Sequence, residues 1–477
     1  MLFNSFQYLL FFPIVCLLYF ACPYRWRMAL LLLASYYFYM CWRWEYVLLI
    51  IVQTEINFLG VLQMEKARSP VAKKTWLIVI LTLTLAILFF FKYYNFANNT
   101  IGGAFGFIGV PYHIPHLDIL LPIGVSFHTF QTLSYTIDVY RGRIPVERSF
   151  TKFALFVSFF PLLVAGPIER AKHLLPQLER ENHFDVERLC SGLKLMLWGF
   201  FKKVVIADRL AEYVSRIYAH PGDFSGATLA LATYCFAFQI YCDFSGYSDI
   251  AIGSARVMGY DLMQNFNLPY LARSISDFWQ RWHISLSTWF RDYVYIPMGG
   301  SRVSAGRWAF NIVTVFAVSG LWHGASWAFV IWGGLHGTYY LLERFFAPYG
   351  NRLLCFLRLP EWVRAGIQVL ITFHLVLIAW IFFRAASLYD ALLIVSRICT
   401  DLSGPLSFGA SSVATILGLC LVVLLLGVQV LQYRNRLPLY CSKVQIPVLL
   451  RWSGYLALLA GIAVLGKSGN DFIYFQF

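Results

Sequence analysis

Phe316-Ala-Val-Ser-Gly-Leu-Trp322-His323-Gly324-Ala-Ser-Trp327 places an ionisable ring inside sequence that otherwise suits a lipid bilayer. Such a side chain at membrane depth is costly unless it faces a polar cavity, so by default it marks a reaction or transport path. A second histidine, His283, stands upstream in Trp279-Gln-Arg-Trp282-His283-Ile-Ser-Leu-Ser-Thr-Trp289, a segment too polar for an ordinary spanning helix. Two imidazoles near one cavity suit proton transfer.

Around that stretch the chain is apolar almost throughout. Of its 477 residues 59% are hydrophobic and 13% charged, and the mean hydropathy is +0.63, outside the range of soluble domains. The expected fold class is an all-α polytopic membrane protein. At roughly 20 apolar residues per crossing, helices are predicted at 2–22, 28–41, 44–63, 76–95, 119–137, 150–165, 193–208, 226–242, 310–335, 366–383, 413–432 and 448–466. Several are short or interrupted, so about eleven spans are expected, with re-entrant and amphipathic helices besides. Non-helical backbone at membrane depth is tolerated only where protein buries it or a wet cavity meets it.

The opening Met1-Leu-Phe-Asn-Ser5 has no basic leader and no small-residue cleavage site, so the first segment reads as a retained helix. A net charge of +14 raises nucleic acid as a partner, but the basic residues sit in short loops and not in one tract, as the positive-inside rule produces. Glu65-Lys66-Ala-Arg68 through Lys73-Lys74 places that loop in the cytoplasm. Arg25, Arg27, Arg141, Arg143 and Arg148 then fall on the same side, and the nearly uncharged stretch 96–117 lies outside. Ten cysteines, Cys16, Cys41, Cys235 and Cys420 among them, are scattered without a CxxC pair, which indicates neither a disulfide framework nor a metal site.

With no repeat and no long linker, residues 1–477 are expected to form one membrane domain. Its N-terminal spans are 1–149, a polar-rich catalytic core is 150–340, and C-terminal spans are 341–477. In the core, Gly166-Pro167-Ile-Glu169-Arg170 stops a run too short to cross comfortably and reads as a re-entrant element. Tyr241-Cys-Asp243-Phe-Ser245-Gly246-Tyr-Ser248-Asp249 carries two carboxylates into an apolar helix, either as a helix end at the interface or as a cavity wall. Ser274 to Pro297 opens on a capping pattern and alternates Trp with Arg, as a helix in the headgroup region does. On such a helix His283 shares the apolar face of Trp279. Gly299 and Gly300 lack the lysine and spacing of a phosphate-binding loop.

At these motifs the chain resembles the membrane-bound O-acyltransferase family, in its bacterial polysaccharide-acetylating branch. The resemblance rests on Phe244-Ser-Gly-Tyr-Ser-Asp-Ile-Ala-Ile-Gly253, on Trp279 through Gly300, on Trp322-His323-Gly324, and on the opening Met1 to Phe6 and closing Phe472-Ile-Tyr-Phe-Gln-Phe477. It implies tilted helices around a central tunnel, reached by an acyl thioester from one face and an acceptor from the other. It also assigns the tunnel histidine to His323 and a second polar position to His283.

The chemistry follows from those residue types. Thioester-to-hydroxyl transfer needs a base for the acceptor proton, and imidazole, with a reference pKa of about 6.5, fits that task. His323 is the candidate base and His283 the group that polarises the carbonyl or positions the acceptor. Asp243 and Asp249 are candidates to fix a tautomer. Trp322, Ser245, Trp279, Trp282 and His336 are candidate tunnel or supporting residues, His336 reading equally as a packed core histidine. Arg273, Arg281, Arg291, Arg302 and Arg307 are candidate phosphate contacts for the donor. No GxSxG elbow accompanies these sites, so direct transfer without a covalent serine intermediate is expected. Coenzyme A enters as the acetyl-CoA substrate, with no permanently bound cofactor and no metal.

The leading expectation is an inner-membrane acetyltransferase that uses cytoplasmic acetyl-CoA to supply an envelope polysaccharide, alginate-like or peptidoglycan, through an extracytoplasmic esterase-like partner of the SGNH type. D-alanyl transfer from a carrier protein toward teichoic acid keeps the chemistry and changes the donor. A proton-coupled transporter, or an export scaffold whose histidines are structural, belongs to another class altogether.

Overall fold

Serine marks the start of helix after helix. The Ser5, Ser69, Ser149, Ser274 and Ser387 hydroxyls each accept a first-turn N–H, from Tyr8, Ala72, Lys152, Asp277 and Asp390, which satisfies donors that have no partner within the helix. A computed structural model describes residues 1–164, 166–409, 411–434, 447–467 and 472–475. Asn470 and Asp471, and Gln476 and Phe477 of the closing motif, lie outside the described residues. Among the described residues all regular structure is helical. Six helices among the described residues are long and apolar enough to cross a membrane: Trp44–Lys66, Pro70–Phe107, Gly226–Val257, Glu361–Arg384, Ser412–Tyr433 and Val448–Leu465. The last has no buried residue, so its Leu and Val side chains form an outward apolar surface suited to lipid.

The chain groups into two compact units, Met1–Leu193 with Ala251–Met263, and Lys194–Ile250 with Gln264–Phe477. In the first, the predicted helix 150–165 is broken. Phe150–Ser158 ends at Phe159, whose backbone leaves the helical region at φ −53° and ψ 114° and is followed by a short turn of helix, Phe160–Leu163, with Pro161 in its first turn. Proline has no N–H and its ring clashes with the carbonyl four residues back, so the helix through Val157 cannot continue past Pro161. The groups freed by the break are met from outside: Ser35 Oγ accepts the Phe160 N–H at 3.0 Å, and Gln131 Nε2 donates to the Phe156 carbonyl at 2.6 Å. The chain then returns through Ala171–Leu178, and Lys152 near the start of the hairpin pairs with Glu179 at its end. The start of the first arm and the end of the second therefore lie side by side.

In the second unit the predicted span 310–335 is two helices. Ala305–His323 stops at Gly324, whose backbone is extended, and Trp327–Phe356 runs back along it. The pair packs backbone to backbone: a Cβ on Gly333 would stand 2.1 Å from the Phe316 carbonyl oxygen, and one on Gly320 2.1 Å from that of Phe329. Gly333→Val is expected to prevent this closure and to abolish the monodisperse peak of detergent-extracted protein on size exclusion. Gly334→Val, where a Cβ meets nothing within 4 Å, is expected to leave the peak intact.

The stretch 274–297 is also interrupted. Helices Ile275–Arg281 and Ile284–Phe290 are separated at Trp282-His283, and His283 takes φ 44° and ψ 54°, the left-handed region. That conformation costs a non-glycine residue on the order of 1–3 kcal/mol and persists only where surrounding structure imposes it. The expected shared face of Trp279 and His283 is therefore overturned.

Candidate active site

The hairpin and the break bring together two imidazoles that the sequence separates. His323 ends its helix and is buried, and His283 is fully buried, with ring centroids 6.4 Å apart. Around His323 stand Trp322 at 4.9 Å, Trp332 at 5.0 Å and Phe383 at 5.4 Å. His283 faces Phe244 at 4.6 Å and Trp322 at 6.0 Å. Burial pushes the His283 imidazole below its ordinary pKa, so the ring is neutral and offers one N–H and one lone pair.

Trp279 belongs to a different neighbourhood. Its ring lies 4.9 Å from His336, and the Trp332 indole stands 5.0 Å from His336 as well as 5.0 Å from His323. Trp279 and His336 thus adjoin the imidazole pair through Trp332. Trp282 turns into an aromatic core, 5.1 Å from Phe266 and 5.0 Å from Trp380, a supporting position.

Below the imidazoles lies a buried ionic network. Lys203 pairs with Asp243 at 2.7 Å and with Asp208 at 2.8 Å, while Lys202 pairs with Asp249 at 2.8 Å and donates to Ser245 Oγ at 2.8 Å. The helices carrying these groups approach closely because both are glycine at the crossing, a Cβ on Gly246 falling 2.8 Å from the Gly199 carbonyl oxygen. Asp243 also accepts the Ile473 N–H at 2.7 Å. That bond ties the C-terminal segment to the network and sets Tyr474 beside both imidazoles, its ring 5.6 Å from His323 and 6.5 Å from His283. The Tyr474 hydroxyl is buried, with no hydrogen-bond partner among the described residues.

The arginines stand at the surface or partly buried. Arg281 bonds Asp277 at 2.6 Å, Arg291 bonds Asp292 at 2.8 Å, and Arg273 reaches Tyr433 at 3.3 Å. Arg302 and Arg307 are exposed. Lys202, Lys203 and Tyr474 are the residues that the sequence reading did not single out. Two consecutive lysines in the apolar run Leu197–Ala207 are a signal of the same kind as His323, and Tyr474 lies within the closing motif.

Residues 143–388, which hold both imidazoles and the ionic network, match the membrane-bound O-acyltransferase family. The chain is 41% identical over 396 residues to a probable alginate O-acetylase of Azotobacter vinelandii, covering 81% of this chain and 76% of that protein. It belongs to the membrane-bound O-acyltransferase family. A peptidoglycan O-acetyltransferase of Helicobacter pylori is 35% identical over 390 residues, 76% of this chain and 72% of its own. A teichoic acid D-alanyltransferase of Bacillus subtilis is 29% identical over 280 residues, 56% of this chain and 69% of its own. Membership and the six apolar helices make this chain a multi-pass membrane acyltransferase.

Proposed function

We propose that this acyltransferase takes acetyl from cytoplasmic acetyl-CoA and supplies it across the inner membrane for O-acetylation of an envelope polysaccharide. The observation that carries this reading is the pair of buried imidazoles with centroids 6.4 Å apart. The acetyl-transferring relatives, which match more of the chain than the D-alanyltransferase does, favour acetyl as the group. The remaining short helices bring the crossings to about eleven, with a tunnel reaching the imidazoles from both faces. A separate extracytoplasmic esterase-like protein completes delivery to the polymer.

In this scheme neutral His323 takes the proton of the attacking hydroxyl as the new C–O bond forms and the thioester C–S bond breaks. The proton then passes to the departing thiolate of coenzyme A. His283 hydrogen-bonds the carbonyl oxygen as charge develops on it. The lysine-held carboxylates do not touch the reacting atoms but support the ground on which Tyr474 sits. Tyr474→Phe keeps the ring and removes the hydroxyl; if that hydroxyl donates to the reacting carbonyl, transfer is expected to fall by about 10² to 10³-fold, the range for losing one such donor. An unchanged rate assigns Tyr474 to packing alone.

Purified protein offered labelled acetyl-CoA or a D-alanyl-charged carrier protein separates the two donors. The proposal expects consumption of the first and not of the second. A transporter in place of a transferase moves a solute into liposomes and leaves the thioester intact.

A further inference from the structure

We propose that Asn265 is the positioning residue that holds His283 for reaction, an inference that rests on the role given to His283 above. Asn265 is fully buried and meets the helix break from the connection that precedes the segment. Its backbone carbonyl accepts the Ile284 N–H at 2.9 Å. Its side-chain Oδ1 accepts the Ser285 hydroxyl at 2.9 Å and the Ser285 N–H at 3.4 Å, and its Nδ2 donates to Ser248 Oγ at 3.1 Å. Two residues on, the Asn267 N–H donates to the Arg281 carbonyl at 2.9 Å. The segment therefore grips the chain on both sides of Trp282-His283 and imposes the left-handed turn at His283.

The arrangement has a chemical consequence. A helix that begins at Ile284 leaves its first N–H groups without internal partners, and the residue before the helix usually caps them with its own side chain. That residue is His283, and its side chain makes no such cap. Asn265 supplies the cap in its place, so the imidazole is released to turn toward Phe244 and His323. The Ser248 bond anchors Asn265 to the same helix that carries Phe244 and Asp243, and this fixes His283 relative to Phe244.

A double-mutant cycle in kcat tests the assignment, with acetyl-CoA as the donor and the full chain in detergent. Asn265→Ala is expected to lower kcat by on the order of 10 to 10²-fold, the scale of a misplaced catalytic group, with the donor KM unchanged. In a His283→Ala background the same substitution is expected to change kcat less than about twofold, because the group it positions is gone. Asn265→Asp, which keeps the acceptor for Ser285, is expected to restore most of the rate. If Asn265→Ala fails to accumulate, Ser285→Ala, which removes the hydroxyl bonded to Oδ1, takes its place in the cycle and is expected to show the same non-additivity. Equal fold losses in both backgrounds, or wild-type kcat in Asn265→Ala when His283→Ala is impaired, overturn the proposal. Full activity of His283→Ala instead overturns the role of His283 on which it rests.

Discussion

Replacing His323 with alanine is expected to lower acyl transfer by about 10² to 10⁴-fold, the contribution of a well-placed general base, at undiminished protein abundance. The ring is held by edge-on contacts with Trp332 and Trp322 and a tilted one with Tyr474, while the hairpin that carries it closes through Gly320 and Gly333. The glycine closure does not involve the imidazole, so the hairpin is expected to form in the variant. A base acts only as the hydroxyl loses its proton, so kcat and kcat/KM are expected to fall together and the donor KM to stay near the wild-type value. Initial rates of labelled acetyl-CoA consumption over a range of donor concentrations check this. A loss below about threefold removes His323 from the chemistry.

Lys203→Met is expected to cost stability on the order of 3–5 kcal/mol, the consequence of stripping one partner from buried charges. Lys203 stands between Asp208 and Asp243, all three buried, and its removal leaves two carboxylates facing each other without that cation. Activity should fall in the molecules that still fold, because Asp243 holds the Ile473 N–H and with it the placement of Tyr474. Neutralising both acids as Asp208→Asn and Asp243→Asn in the Lys203→Met chain is expected to recover a good part of the stability. Thermal unfolding of the detergent-solubilised variants reads this directly; a Lys203→Met melting temperature equal to wild type rules out a structural role for the network.

The sequence carries the class of this protein with little ambiguity. Long apolar runs mark it as a membrane protein, and a histidine within such a run singles out His323 as the candidate base, because both signals are local. What satisfies the breaks is not local. Pro161 marks a stop near Phe159, but nothing there shows that Ser35 and Gln131 will meet the freed groups, and nothing beside His283 announces Asn265. Continuous helices at 150–165 and 274–297 are therefore the natural reading of residues whose geometry is completed by partners outside each segment. The run 310–335 reads as one span for a related reason: its Trp, Phe and Val residues are as apolar in a hairpin as in a single helix, and only Gly324 marks the turn. Lys202 and Lys203 were readable by the rule that identified His323. The role of Asp243 was not, since its partners Lys203 and Ile473 lie on two other elements. The arginines near the 274–297 segment illustrate the converse, because Arg281 and Arg291 already have carboxylate partners within the segment itself.

The central claim is that a thioester and a hydroxyl meet at the His323–His283 pair. Its most direct test is the fate of acetyl-labelled acetyl-CoA added to sealed proteoliposomes that contain wild-type protein or His323→Ala, with the extracytoplasmic esterase-like partner and a soluble polysaccharide acceptor enclosed. The account predicts that wild type releases one free coenzyme A thiol for each label recovered on a hydroxyl, and that both signals vanish together in the variant. Thiol release at the wild-type rate in a natively folded His323→Ala protein, or passage of intact solute without thioester cleavage, contradicts it.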